Sequence, residues 1–119
     1  MRVQIALCCV AVCLCVVPSV FAQDAVQADP KHYSVVSEND QVRIVKVHYG
    51  AHEKSVMHSH PASVAVFLTD GKVRFTLADG KTQEASVKAG QTQYESVQTH
   101  LPENIGDKPF ELILVELKK

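Results

Sequence analysis

Cysteine is missing from most of this 119-residue chain. All four cysteines lie near its start, at Cys8, Cys9, Cys13 and Cys15. Residues 23–119 therefore offer no disulfide framework, no thiolate nucleophile and no cysteine-ligated zinc site. Any metal ion bound there must use histidine, carboxylate or amide ligands.

An excess of charge of one sign is also missing. The chain has 12 Lys and Arg, 13 Asp and Glu, and a net charge of -1. It has no basic run, and this argues against a nucleic-acid partner. No segment shows helical periodicity over a useful length, and no internal repeat stands out. The length allows one domain at most.

The longest apolar run occupies the start of the chain. "VQIALCCVAVCLCVV" (residues 3–17) follows a short positive start, and Val20 and Ala22 have the spacing that a signal peptidase reads. This pattern predicts a secretory signal peptide over residues 1–22, cleaved before Gln23, and an exported protein that is periplasmic or secreted.

An uncleaved membrane anchor is the alternative, because the same run is about long enough to span a bilayer. Pro18 and the Val-x-Ala ending favour cleavage, which leaves no membrane partner. A lipoprotein is disfavoured, because the cysteines lack the small residue that usually precedes a lipidated one.

The rest of the chain divides into two parts. Residues 23–31, "QDAVQADPK", predict a flexible lead-in. Residues 32–119 contain about eight short β-branched runs, two of which end at Asp70-Gly71 and Asp79-Gly80. Asp-Gly between alternating runs is a strong hairpin signal, so we expect an all-β sandwich or barrel.

Two histidines stand two positions apart in "MHSHPASVAVFLTDG". In a β-strand the side chains of His58 and His60 would point to one side, roughly 6.5 Å apart. Such a pair can share a metal ion through neutral imidazole nitrogens. Two ordinary polar residues near a strand end would give the same pattern.

The spacing of further residues resembles the two motifs of the cupin superfamily. His58-Ser59-His60 precedes Gly71, and Gly90 precedes His100, which is followed by Asn104. The likeness extends to small single-domain bacterial cupins, including the β-alanine degradation type, through the "NIGD" and "VELK" stretches. It covers roughly residues 33–117.

This resemblance implies a cupin-type β-barrel, the double-stranded β-helix or jelly roll of RmlC-like proteins. It also implies that His58, His60 and His100 are ligands of a divalent metal ion such as Zn, Fe, Ni or Mn. Without the motif, His100 could equally be a satisfied core histidine.

The chain departs from the motif at two positions. His52 replaces the early glycine, and Val64 replaces the glutamate. If Pro61 leaves the strand register intact, counting by twos from His60 puts Val64 on the interior face, so the fourth corner of the site would be apolar. Glu95 is the nearby carboxylate available to replace the missing one, if it rather than its neighbour Tyr94 faces inward.

Three other polar residues have local interpretations. We expect His52 in a surface loop at the barrel mouth, with contact to the metal as the alternative. Asn104 is interpreted as a turn or strand-capping residue. Arg43, on a strongly apolar strand, would pair with a carboxylate such as Glu116 or extend to solvent.

Three functions fit these observations. The first is a small-molecule-binding module with a three-histidine metal site. The second is a metal-dependent oxygenase, isomerase or lyase, for which no catalytic residue is named. The third is a degenerate cupin with a structural or oligomeric role. A homodimer is expected because the core is small, with Tyr33–Val36 and Phe110–Leu117 as candidate edges.

Overall fold

The computed structural model of the protein describes residues 23–119. Helix α1 covers Ala25–Ala28 and is followed by nine strands. In chain order these are β1 (Tyr33–Glu38), β2 (Val42–Tyr49), β3 (His58–His60), β4 (Ser63–Phe67), β5 (Gly71–Leu77), β6 (Thr82–Val87), β7 (Thr92–Glu95), β8 (Gln98–Asn104) and β9 (Phe110–Leu117). The predicted signal peptide, residues 1–22, lies outside the described residues. Within residues 23–119, no helix has the length and hydrophobicity needed to cross a membrane.

The strands form two antiparallel sheets, which confirms the all-β cupin-type fold. One has the order β1-β2-β9-β4-β7 and the other β3-β8-β5-β6. Alternate residues of each strand face the space between the sheets, because successive side chains point to opposite faces. The core side chains are apolar residues from both sheets, among them Val45, Val47, Ala65, Val73 and Leu114.

The two Asp-Gly pairs play different roles. Asp79-Gly80 closes the β5–β6 hairpin, with Gly80 at φ 86°, as predicted. The hairpin prediction at Asp70-Gly71 is wrong, because β4 and β5 lie in different sheets. Gly71 is required there for another reason: a Cβ at this position would overlap the ring of Phe110.

Strand β9 lies in the middle of its sheet. It pairs with β2 on one side and β4 on the other, so Phe110–Leu117 is not an edge and that expectation is wrong. The edges of this sheet are β1 and β7. The β1 edge, Tyr33–Glu38, carries the exposed side chains of Val35 and Val36.

Residues 23–29, called here the N-terminal strap, differ from the expected flexible lead-in. They include helix α1, and Ala25 is 1% exposed within the core. The side chain of Asp24 caps the helix by accepting a hydrogen bond from the Val26 amide. Burial of an alanine and an ordered cap are features of a packed segment.

The strand register changes at Pro61. His58 and His60 face inward on β3, but on β4 the buried residues are Ser63, Ala65 and Phe67. Counting by twos across the break therefore gave the wrong face for Val64. The interruption Pro61-Ala62 shifts the alternation, so Val64 lies on the outer side of the sheet and is only partly buried.

Candidate functional site

The three predicted histidines come together inside the barrel. His58 lies directly opposite His100 in the β3–β8 ladder, and His60 is on the same face of β3. Their ring centroids are 4.7 Å (His58–His60) and 5.1 Å (both pairs with His100) apart. One ligand atom from each residue lies within 4.8 Å of the others. The predicted convergence is confirmed.

Two of the imidazoles are held through their Nδ1 atoms. His58 Nδ1 lies 2.8 Å from the carbonyl oxygen of Val56 and 3.3 Å from Ser55 Oγ. His60 Nδ1 lies 3.3 Å from Glu116 Oε2. Because a carbonyl or carboxylate oxygen can only accept, both Nδ1 atoms are the protonated donors. Each Nε2 is then left with its lone pair, the state in which imidazole binds metals.

The two Nε2 atoms face each other at 2.9 Å. In this tautomer neither atom has a proton to donate, and a cation between them, either a proton or a metal ion, would satisfy both lone pairs. His100 adds a third nitrogen in need of a partner: its Nε2 is buried and makes no hydrogen bond to any residue of 23–119. Three buried imidazoles with unsatisfied nitrogens fit a divalent ion.

Burial keeps the imidazoles of His58 and His100 neutral. Loss of solvent, and then the neighbouring His60, lower the pKa of His58 to about 4. The same two causes, with His58 added, lower the pKa of His100 to about 3. Near neutral pH both rings therefore carry a free lone pair, as metal ligation requires.

An ion-paired carboxylate supports His60 from β9. Glu116 is 2% exposed and accepts a hydrogen bond from Arg43 Nε at 2.6 Å. Arg43 is also paired with Asp24 of the N-terminal strap. Burial alone would raise the pKa of Glu116, but the hydrogen bonds from His60 and Arg43 outweigh it and lower that pKa. The predicted Arg43–Glu116 pair is confirmed.

Sequence reasoning missed the residues that support His58. Asp29 accepts hydrogen bonds from Ser55 Oγ and His32 Nδ1, both at 2.6 Å. Asp29, His32 and Ser55 are all buried. No short motif marks these residues. Glu116 did carry a signal, because it continues the inward alternation Phe110, Leu112, Leu114 with a carboxylate.

A cavity of about 90 Å³ adjoins the histidines. Its wall includes His60, His100, Glu95 and many apolar side chains. A second, more polar cavity of about 200 Å³ shares part of this wall and is lined by residues including Gln83, Gln93, Glu95 and Gln98. Glu95 lines both spaces, so it lies where the apolar cavity and the more polar cavity meet.

Glu95 rather than Tyr94 faces inward, since the Tyr94 side chain is 64% exposed. Glu95 accepts a hydrogen bond from Gln93 Nε2 at 2.8 Å. Burial raises the pKa of Glu95, and the Gln93 bond and His60 offset this only partly. The carboxylate that sequence suggested near the site is thus at the cavity wall.

The remaining candidates lie away from the histidines. His52 is exposed at φ 61° in the loop between β2 and β3, as expected of a surface residue. Asn104 Nδ2 donates to the carbonyl oxygens of Gly50 and Lys108, and its Oδ1 accepts from the Gly106 amide. This confirms its role in fixing local backbone.

Known proteins share this architecture. The chain is similar to a cupin domain from Bordetella pertussis Tohama I (19% identity, TM-score 0.68, covering 73% of this chain and 92% of that one). It is also similar to an RmlC-like cupin family protein with a double-stranded β-helix fold from Methanocaldococcus jannaschii (18% identity, TM-score 0.59, 72% and 78% covered).

A third similar structure is a conserved protein with a double-stranded β-helix domain from Klebsiella pneumoniae (24% identity, TM-score 0.57, 71% and 70% covered). At these identities the likeness concerns the fold. No curated protein matches the chain. Residues 43–116, more than half of the sequence, match the family Cupin_2, described as a cupin domain. This chain belongs to the cupin domain family.

Proposed function

We propose that this protein is a small-molecule-binding cupin whose barrel holds a divalent metal ion on His58, His60 and His100. The observation that carries the proposal is the facing pair of Nε2 atoms, 2.9 Å apart, with both Nδ1 atoms already engaged as donors. Three imidazoles without a carboxylate ligand favour Zn, Ni or Fe over the harder Mn. The metal would supply a Lewis-acidic position next to the cavity.

Metal analysis of the purified protein tests the site. We expect close to one equivalent of divalent metal, and a rise in the thermal midpoint of the metal-free protein when Zn²⁺, Ni²⁺, Fe²⁺ or Mn²⁺ is added. A His58→Ala, His60→Ala variant should bind none. His48→Ala is the matched control, because His48 is exposed and pairs with Glu111 away from the cavity. Absence of metal and of any thermal shift in the wild type would contradict the site.

The cavity wall indicates which ligands fit. The described residues that line the two spaces include two carboxylates, Glu84 and Glu95, and three glutamines but no lysine or arginine. A carboxylate among apolar walls favours a ligand with an apolar body and a donor group, such as an amine or hydroxyl. An anionic ligand would find repulsion there unless it bound the metal.

Three ligands that share a phenyl ring but differ in their polar group distinguish a cationic, a neutral and an anionic ligand. In the metal-free protein, benzylamine and benzyl alcohol should bind more tightly than benzoate, measured by calorimetry. Glu95→Gln should remove the preference for the amine over benzoate. Equal binding of benzoate and benzylamine to the metal-free wild type would refute the ligand class. The resemblance to cupins of the β-alanine degradation type stays a prediction. Adding β-alanine to the metal-loaded protein and measuring its binding tests that prediction.

A metal-dependent enzyme is the second candidate, and Glu95 is the observation that favours it. Its raised pKa and its place on the cavity wall near His60 suit a group that moves a proton to or from a bound ligand. If so, Glu95→Gln should retain binding of a ligand that the wild type converts, and should lose product formation detected by mass spectrometry. A protein that binds neither metal nor ligand would be the degenerate cupin.

We further propose export and self-association. The apolar run and Val-x-Ala ending support export, and loss of residues 1–22 from the mass of the mature protein would test it. The exposed Val35 and Val36 on edge strand β1 support a homodimer. Sedimentation equilibrium should give twice the monomer mass, and a clean monomer at micromolar concentration would contradict it.

A further inference from the structure

The N-terminal strap crosses the strand that carries two of the histidines. The carbonyl oxygen of Gln23 accepts a hydrogen bond from the Ser59 amide at 2.8 Å, and Asp24 forms a parallel bridge with Ser59. Ser59 is the residue between His58 and His60. The strap backbone therefore pairs with the His-x-His strand itself, although it lies outside both sheets.

One strap aspartate is linked to His60. Asp24 pairs with the Arg43 guanidinium, and Arg43 Nη2 lies 2.5 Å from Glu116 Oε1. The other oxygen of Glu116 accepts from His60 Nδ1. The charges of Asp24, Arg43 and Glu116 alternate along this path, so each of these three groups fixes the orientation of its neighbour, and Glu116 in turn orients the His60 ring.

The other strap aspartate is linked to His58. Asp29 accepts the hydroxyl proton of Ser55 at 2.6 Å, which leaves Ser55 Oγ as an acceptor toward His58 Nδ1 at 3.3 Å. Without Asp29 the Ser55 hydroxyl could turn and donate to that nitrogen. The carboxylate thus acts together with the Val56 carbonyl oxygen, 2.8 Å from His58 Nδ1, to favour the tautomer in which that nitrogen carries the proton.

We propose that the N-terminal strap is a positioning element of the metal site, in which Asp24 and Asp29 fix the orientation and tautomer of His60 and His58. The inference rests on the proposed metal function, and it adds that metal affinity depends on a segment outside both sheets. Neither aspartate touches the metal position, so both are positioning residues. Asp24 acts on His60 through Arg43 and Glu116, and Asp29 acts on His58 through Ser55.

Isosteric variants test the two paths. Asp24→Asn and Asp29→Asn should each weaken Zn²⁺ binding about tenfold, and the double variant about a hundredfold, measured by competition with a chelator. Asp40→Asn is the matched control, because Asp40 is exposed on the turn between β1 and β2. Circular dichroism should show the same strand content in all four variants.

A double-mutant cycle separates positioning from general destabilisation. Ser55→Ala should weaken Zn²⁺ binding as Asp29→Asn does, and the two together should cost no more than either alone, since they share one path. Ser55→Ala with Asp24→Asn should be additive in free energy. Folded variants with Zn²⁺ affinity within twofold of wild type would overturn the proposal and leave the strap a structural cover.

Imidazole ¹⁵N NMR of the metal-free protein gives a readout that needs no metal. We expect the Nδ1–H tautomer for His58 and His60 in wild type, a mixture for His58 in Asp29→Asn, and a mixture for His60 in Asp24→Asn. Unchanged tautomers in the variants would refute the strap's role. If the variants change the tautomers as expected but the wild type binds no Zn²⁺, the proposed function fails, while the effect of the strap on the two imidazoles stands.

Discussion

Two glutamates, Glu116 and Glu95, flank strand β4 at the same register position. Ser63 is paired with Glu116 of β9 on one side and with Glu95 of β7 on the other. Glu116 is closed off from solvent and held by Arg43 and His60, while Glu95 faces the cavity with Gln93 as its hydrogen-bond partner.

The pKa values of the two carboxyl groups shift in opposite directions. Burial raises the pKa of both, but the hydrogen bonds and charge of His60 and Arg43 reverse the shift at Glu116. A cationic partner, rather than the degree of burial, therefore decides which carboxylate stays ionised in a structural role. The β9 side is a fixed support for the histidines, and the β7 side keeps a carboxyl group available to a ligand.

Matched glutamine variants should give the largest contrast. Glu116→Gln removes the negative charge beside Arg43 and leaves one oxygen, which can accept from Arg43 or from His60 but not from both, so we expect a loss of about 3 kcal/mol in the free energy of unfolding. Glu95→Gln should change that free energy by less than about 1 kcal/mol. Urea unfolding at pH 7 measures both. Equal losses would remove the distinction between the two sides.

Acid should destabilise the metal-free protein through its histidines. The pKa of folded His58 is about 4, below the ordinary histidine value of 6.5. A depressed histidine pKa contributes stability that is present above 6.5 and lost as pH falls toward 4, because only the unfolded state takes up the proton. We expect a loss of roughly 3 kcal/mol from His58 over this window. His48→Ala should leave the pH dependence intact, and a flat profile between pH 7 and 4.5 would refute it.

The contribution of Glu95 to stability should depend on pH in the opposite direction to that of His58. Its folded pKa is raised, so its contribution to stability is present at low pH and lost as pH rises through that pKa. Glu95→Gln should therefore stabilise the protein slightly at pH 7 and have little effect at pH 4. Thermal unfolding of both proteins at the two pH values checks this. Destabilisation at pH 7 would mean that the ionised carboxylate has a stabilising partner.

The smallest effect is expected between the two carboxylates. Ser63 Oγ is buried and has no hydrogen-bond partner within residues 23–119. Ser63→Ala removes that unsatisfied hydroxyl, so the free energy of unfolding should stay the same or rise by about 0.5 kcal/mol. A loss above about 1 kcal/mol in urea unfolding would show that the hydroxyl has a partner, such as an ordered water.

Much of the fold follows from local pattern. Alternating runs with turn residues between them predict strands, because a half-buried sheet has a period of two. His58 and His60 are predictable for the same reason, and the cupin spacing adds His100. The hairpin at Asp79-Gly80 also follows, since that turn needs a residue with positive φ at Gly80.

The wrong predictions concern features that a local sequence pattern does not specify, above all the pairing between distant segments. Pro61 interrupts the alternation, so Val64 could not be placed by counting. Phe110–Leu117 reads as a final strand, but only pairing with β2 and β4 makes it central.

Alternation and spacing act over a few residues, and they are enough to predict an all-β chain with two histidines on one strand face. How those histidines are held depends on contacts between distant segments. Asp24 and Asp29 are ordinary polar residues in a short polar stretch, and they become supports of the site because folding brings them to Arg43 and Ser55. Hydrogen bonds between segments far apart in sequence exist only after the sheets have closed.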